Sequence, residues 1–331
     1  MYKKIRWAQY GTKHGHAAGK LLALQRNPQV EVIGVYEPDP NRREEVSNQK
    51  GPFSSCNWFN DPSQILDDAS IVAVASEGSN SESLDQTESL IEAGKHVWYD
   101  KPAGNNWQQW QRIVRTTEER SLHIQMGYML RYHPSFKRIA KWARSGLLGE
   151  ITSVRGHMSS SISKEKVEPL KVFKGGIFFD LGAHMLDQVI WLLGRPEKIT
   201  PFFRTDSDAV GVVDNSLAVF ETTNAIAYID ISSFETKPAA RRFEVYGTQG
   251  SAIILEPFEP GPQIRLCLDQ ARGGYSEGEQ IVREENRSRQ DLYELELAAF
   301  LASISGDQEP DRPLSHELLV QEILLRTCDY L

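Results

Sequence analysis

The stretch 178–193 is largely apolar, and its polar exceptions recur at a regular interval: Asp180, His184, Asp187 and Trp191 stand at i, i+4, i+7 and i+11. If the stretch is helical, that interval puts all four near one face. A polar stripe on a buried helix is costly unless it lines a pocket or meets partners. Histidine suits proton transfer in both directions because its ordinary pKa lies near neutrality. Oxidation of an alcohol needs such a group, since the hydroxyl proton must be taken while the C–H hydrogen leaves as hydride. Taken by themselves, Asp180 and His184 are more simply a core histidine with its partner, and the same spacing also holds metals.

A second constellation lies where the first apolar run ends. Tyr10-Gly11-Thr12-Lys13-His14-Gly15-His16 is glycine-rich at the point where a strand hands over to a helix, and there backbone N–H groups and the helix dipole can hold a pyrophosphate. Gly11 serves as the first glycine of a G-x-G-x-x-G turn, but Lys13 takes the second place and His16 the third. A lysine there either adds a cation to the phosphates or obstructs them. Glu37 follows the next strand, about 20 residues beyond His16, where a carboxylate accepts from ribose hydroxyls and repels a 2'-phosphate. That favours NAD, with NADP kept as a lesser option by Arg42 and Arg43. His14 and His16 could pair on a metal, but alternating histidines in a loop are more often solvated or phosphate-facing, and no metal is expected.

These residues need a scaffold. Over the first 125 residues, strand patterns at 5–10, 30–36, 71–75, 96–99 and 123–128 alternate with helix patterns at 16–25, 41–49, 61–66, 83–93 and 107–119. This is the order of a parallel sheet covered by helices on both faces. After Tyr128 the character changes. Helices at 134–145 and 178–193 flank a strand at 152–159, and from Asn215 onward come strands at 216–222, 225–232, 242–246, 251–255 and 263–268 with turn chemistry between them. Two closing helices, 290–305 and 315–330, complete an α/β chain. Its expected form is a doubly wound Rossmann sheet over 1–127 followed by an α/β domain over 128–331 with a large, open, mostly antiparallel sheet. The closing helices could pack back on the first domain.

The 331 residues exceed what one core usually organises, and the net charge of −8 offers no field for nucleic acid. No apolar run reaches the length of a membrane span, and the residues before the first strand do not lead us to expect a signal peptide. Cys56, Cys267 and Cys328 are few and far apart, which suits a reducing, cytoplasmic setting. Neither a nucleic-acid nor a membrane partner is expected.

The segment Ala93-Gly94-Lys95-His96-Val97-Trp98-Tyr99-Asp100-Lys101-Pro102 closely resembles the A-G-K-H-V-x-x-E-K-P signature of the Gfo/Idh/MocA oxidoreductases. The resemblance extends along most of the chain. Gly127-Tyr128-Met129-Leu130-Arg131-Tyr132-His133-Pro134 is similar to the family's entry into its second domain, and Gly146-Leu147-Leu148-Gly149-Glu150-Ile151 to the turn that follows. Gly175-Gly176-Ile177-Phe178-Phe179-Asp180-Leu181-Gly182-Ala183-His184 resembles the G-G-x-x-x-D-x-G-x-H segment, and Tyr246-Gly247-Thr248-Gln249-Gly250-Ser251 a later turn. Asp100 replaces the usual glutamate, and Gly78-Ser79-Asn80 keeps only the asparagine of T-P-N.

The resemblance implies an NAD(P)-dependent enzyme that moves a hydride between nicotinamide and a sugar, an inositol-like polyol or a derivative. His184 would be the acid/base, Asp180 the substrate-binding acid, and Lys101 the catalytic lysine beside the nicotinamide. Expected cofactor contacts are Gly11, Thr12, Lys13, His14, Glu37, Asn80, Asp100, Lys101 and Arg131. A homo-oligomer, dimer or tetramer, is implied as well. The alternatives are a catalytically silent dinucleotide- or sugar-binding regulator, motivated by Lys13 and the altered 78–80 loop, and metal-assisted hydrolysis or elimination through Asp180 and His184.

Overall fold

A computed structural model describes residues 4–208 and 211–331. The chain divides into two compact units, Met1–Tyr128 with Tyr293–Leu318, and Met129–Leu292 with Leu319–Leu331.

In the first unit the order is β1 (Ile5–Tyr10), α1 (Ala17–Arg26), β2 (Val30–Tyr36), α2 (Pro40–Asn48), α3 (Ser63–Leu66), β3 (Ala73–Ser76), α4 (Ser83–Glu92), β4 (His96–Tyr99), α5 (Trp107–Glu119) and β5 (Ile124–Met126). All five strands run parallel in the order β2-β1-β3-β4-β5. β3 is short and wholly buried, and β4 is buried except at half-buried His96, as expected of strands covered on both faces. The helices begin where their residues dictate. Asp39 accepts from the Asn41 and Arg42 N–H groups ahead of α2, with Pro40 in its first turn, and Asn106 accepts from the Gln109 N–H ahead of α5. Trp110, Ile113, Val114 and Thr117 form the buried stripe of α5 at i, i+3, i+4 and i+7.

The second unit contains a 3-10 turn at Met129–Tyr132, α6 (Pro134–Arg144), β6 (Ile151–His157), α7 (Lys164–Val167), α8 (Ile177–Leu193), and strands β7 (Lys198–Arg204), β8 (Asn215–Glu221), β9 (Ile226–Ser232), β10 (Arg242–Gly247), β11 (Gly250–Ile254), β12 (Gln263–Leu268) and β13 (Gly278–Arg283). The strand order is β13-β12-β11-β10-β6-β9-β8-β7. Only β6 and β9 pair in parallel; every other ladder is antiparallel. α8 packs on β9, β8 and β6. α9 (Arg289–Ile304) and α10 (Leu314–Thr327) each contribute residues to both units.

Strands 5–10, 30–36, 96–99 and 263–268 and helix 107–119 form as the sequence patterns predict. The strand expected over 71–75 starts later, because the Ile71 N–H donates to Asp68 O in a turn, and the one expected over 123–128 shrinks to Ile124–Met126. β7 and β13 were not anticipated. Both are edges of the larger sheet. Among the described residues no single helix is long and apolar enough to cross a membrane.

Candidate active site

In the first sheet β1 lies between β2 and β3, so the connections leaving β1 and β3 diverge and open a crevice at the carboxyl ends of the strands, the position where open α/β sheets bind ligands. The two loops meet there. The His14 N–H donates to Glu77 O at 3.0 Å, and the Glu77 N–H to Tyr10 O at 2.8 Å. Gly11 has φ +89°, and a Cβ on it would fall 2.5 Å from the Gly78 nitrogen, so only glycine fits the approach. Glu37 directly follows β2 and orders the loop: its Oε2 accepts from the Thr12 N–H at 2.8 Å and the Thr12 hydroxyl at 2.7 Å, and its Oε1 from the Asp39 N–H at 3.0 Å.

A dinucleotide fits these residues. The His16 side chain does not cap α1, and the first turn of the helix holds no acid of its own, which leaves the helix dipole available to a pyrophosphate. Lys13, in the second glycine's place, is engaged by carboxylates: its Nζ lies 2.8 Å from Glu82 Oε1 and 3.3 Å from Asp39 Oδ2. Asn80 is half-buried in the loop after β3.

Asp100, at the end of β4, is the centre of a buried charge network. Its Oδ2 lies 2.9 Å from His16 Nδ1, 3.3 Å from His14 Nδ1 and 3.0 Å from Lys20 Nζ. Lys20 is fully buried, 2.9 Å from Glu77 Oε1 and 4.5 Å from the centre of the Trp98 ring. Burial opposes the lysine's charge, but Asp100 and Glu77 outweigh it and raise the pKa. Burial by itself would raise Asp100; His14, His16 and Lys20 instead hold it well below the usual carboxylate range. Glu77 and Glu296 are pushed by burial up to about 7 and about 8. Burial lowers His16 to about 4 against the opposing pull of Asp100, whose carboxylate lies within hydrogen-bond distance of its Nδ1. The Lys101 N–H also donates to Asp100 Oδ1, at 2.8 Å, and a Cβ on Gly127 would fall 2.6 Å from that same oxygen.

Ligand atoms of His14, His16 and Asp100 all lie within 4.8 Å of one another, a spacing a metal ion could bridge. The Lys20 ammonium already supplies a positive charge to the same Asp100 oxygen, so an ion added there would meet a like charge at close range.

In the second unit, α8 starts behind two glycines with positive φ. A Cβ on Gly176 would fall 2.2 Å from Val213 O, and one on Gly175 2.4 Å from Cys328 Sγ. Asp180 lies in the first turn of α8, half-buried, with His184 buried one turn on. The lower part of the predicted polar stripe is taken up by Arg131. Its guanidinium pairs with Asp187, to which the Gln188 side-chain amide also donates at 2.8 Å. It stacks over Trp191 at 4.2 Å. A buried ion pair of this kind holds the 3-10 turn to α8.

Residues 5–128 match the family described as the oxidoreductase family with an NAD-binding Rossmann fold, and residues 136–253 its C-terminal domain. The chain belongs to the Gfo/Idh/MocA oxidoreductases. The inositol 2-dehydrogenase of Salmonella paratyphi B is 26% identical over 305 residues, covering 90% of this chain and 85% of its own. The scyllo-inositol 2-dehydrogenase (NAD(+)) of Bacillus subtilis is 26% identical over 242 residues, 69% of this chain and 67% of that one. The solved structure of a levoglucosan dehydrogenase with NADH and levoglucosan shares the fold with a TM-score of 0.84, at 16% identity, covering 99% of this chain and 98% of the other.

Within this family member, sequence reasoning found Gly11, Glu37 and Asp100 at the carboxyl ends of their strands but missed Lys20, Glu77 and Glu296. The signal for Lys20 was present: Ala17, Lys20, Leu21 and Leu24 share the buried face of α1, and a lysine there must find carboxylates.

Proposed function

We propose that the protein is an NAD-dependent dehydrogenase of a sugar, an inositol-like polyol or a derivative. What supports the cofactor most is the crevice at the β1/β3 switch, where the Gly11 turn closes on Gly78 and an uncapped helix end faces it. Glu37 favours NAD because a 2'-phosphate would meet its carboxylate. When bound, the nicotinamide supplies the hydride acceptor or donor.

The chain's own residues handle the proton and the orientation. His184 takes the proton of the reacting hydroxyl, or returns it in the reverse direction. Asp180, one helical turn before it on α8, holds the substrate or the imidazole by a hydrogen bond. Lys101 polarises the reacting oxygen, and Asp100 fixes the lysine's main chain through its N–H. The relatives named as inositol dehydrogenases support the substrate class, and the levoglucosan dehydrogenase supports the sugar.

The test is a panel of polyols and sugars with NAD and NADP, run on the full chain and on His184→Ala. The expected outcome is reduction of NAD by at least one polyol, turnover lost by about a hundredfold or more in the variant, and NAD affinity kept. Full turnover in His184→Ala would remove that residue from the mechanism. NAD binding with no change of redox state across the panel would leave a silent binding protein instead.

A further inference from the structure

The second unit carries a cavity of about 620 Å³ whose walls include Ser160, Ser161, Lys237, Arg241, Arg287 and Arg289. Neither Asp180 nor His184 lines it. Its volume is that of a small-molecule site. The walls come from the connections after β6, between β9 and β10, between β11 and β12, and ahead of α9, which the strand directions bring to one end of the sheet.

The charges in these walls do not balance. Arg241 and Arg289 converge on one carboxylate, Glu259: Arg289 Nη2 lies 2.8 Å from it and Arg241 is in direct contact. Arg287 pairs with Glu285 at 2.6 Å. Lys237 is exposed and makes no ion pair among the described residues. Against Lys237, Arg241, Arg287 and Arg289 stand Glu259, Glu285 and Glu235, the last also bonded to His157 Nε2 at 3.2 Å and the Ala240 N–H at 3.3 Å, which leaves one positive charge unmatched, that of Lys237. Arg241 is itself largely buried, held by the Ser160 hydroxyl at 2.7 Å. Burial and the neighbouring Arg289 pull its pKa down to about 10. Two guanidinium forks sharing a single carboxylate keep donors spare, and such forks match a carboxylate or phosphate in a bidentate way. The serine hydroxyls offer donors and acceptors for ligand hydroxyls, while Ile162 and Pro257 give the wall an apolar face.

We propose that this cavity is a binding site for a small polyhydroxylated anion, its carboxylate or phosphate received by Arg241, Arg289 and Lys237. The test is titration calorimetry on the full chain with D-glucuronate, glucose 6-phosphate, inorganic phosphate and neutral glucose as probes. At least one of the two sugar acids should bind about tenfold or more tightly than both glucose and inorganic phosphate, and its affinity should fall as salt rises. Which acid prevails tells carboxylate from phosphate. Lys237→Ala and Arg289→Gln, both at exposed positions, should each weaken it by about tenfold. They keep the test valid if Arg241→Gln fails to fold. Equal binding of glucose, phosphate binding as tightly as the sugar acids, no binding of either acid, or unchanged affinity in both exposed-site variants would overturn the assignment.

Discussion

Replacing Lys20 by methionine keeps the length of the side chain and deletes its charge. The ammonium is fully buried, 2.9 Å from Glu77 and 3.0 Å from Asp100, over the face of Trp98. Deleting one member of a buried ion pair costs about 3–5 kcal/mol, because the remaining carboxylates stay out of water with no counter-charge. For a unit of this size each kcal/mol lowers Tm by about 2–4 °C, so the expected drop is about 6–20 °C. The loss should depend on pH in a defined direction. Without Lys20, Glu77 and Asp100 are relieved by taking up protons, so the deficit is largest near about pH 8 and shrinks toward about pH 5. Adding Glu77→Gln should recover part of the loss at the higher pH, since it removes one of the stranded charges. Thermal unfolding followed by circular dichroism, on wild type, Lys20→Met and the double variant, reads all three quantities. A drop under about 2 °C near pH 8, or an equal drop at both pH values, would refute the reasoning and leave Lys20 a packing residue.

Glu296 should make the fold less stable as pH rises. Its folded pKa of about 8 lies above the ordinary 4.5, so the folded state holds a proton that the unfolded state releases, and stability falls between those two values. Glu296→Gln should flatten that decline between about pH 5 and about pH 9 and leave the variant the more stable at the alkaline end by up to about 5 kcal/mol, measured by urea unfolding. A parallel pH dependence in the two proteins would contradict it. On the proposed reading Glu37→Ser removes the carboxylate that a 2'-phosphate would meet, and it frees the Thr12 N–H that Glu37 holds. The ratio of kcat/KM for NADP to that for NAD should rise by at least about tenfold, and an unchanged ratio would place cofactor selection elsewhere.

The core of the fold was legible because its signals are local. Alternating strand and helix periods gave the parallel sheet, and Gly11 and Glu37 directly follow β1 and β2. β7 escaped because Pro201 interrupts it, and a proline is tolerated in a strand only at an edge. β13 escaped because Gly278-Glu279-Gln280-Ile281-Val282-Arg283 is mostly polar, the composition of a half-exposed edge. The parallel β6–β9 pair joins residues far apart in the chain, and no short-range pattern encodes such a pairing. In the site, Asp180 and His184 were visible as polar positions on an apolar helix, yet their neighbours Asp187 and Trp191 turned out to serve Arg131. Lys13 was read as either adding a cation to the phosphates or obstructing them; its partners Glu82 and Asp39 come from other segments that spacing does not connect to it.

The most direct measurement is deuterium transfer from a polyol labelled at its carbinol carbon, followed by mass spectrometry of the nicotinamide. Hydride chemistry predicts reduced cofactor carrying the deuterium, at a rate that collapses in His184→Ala. Cofactor that stays oxidised and unlabelled while the polyol demonstrably binds would contradict it.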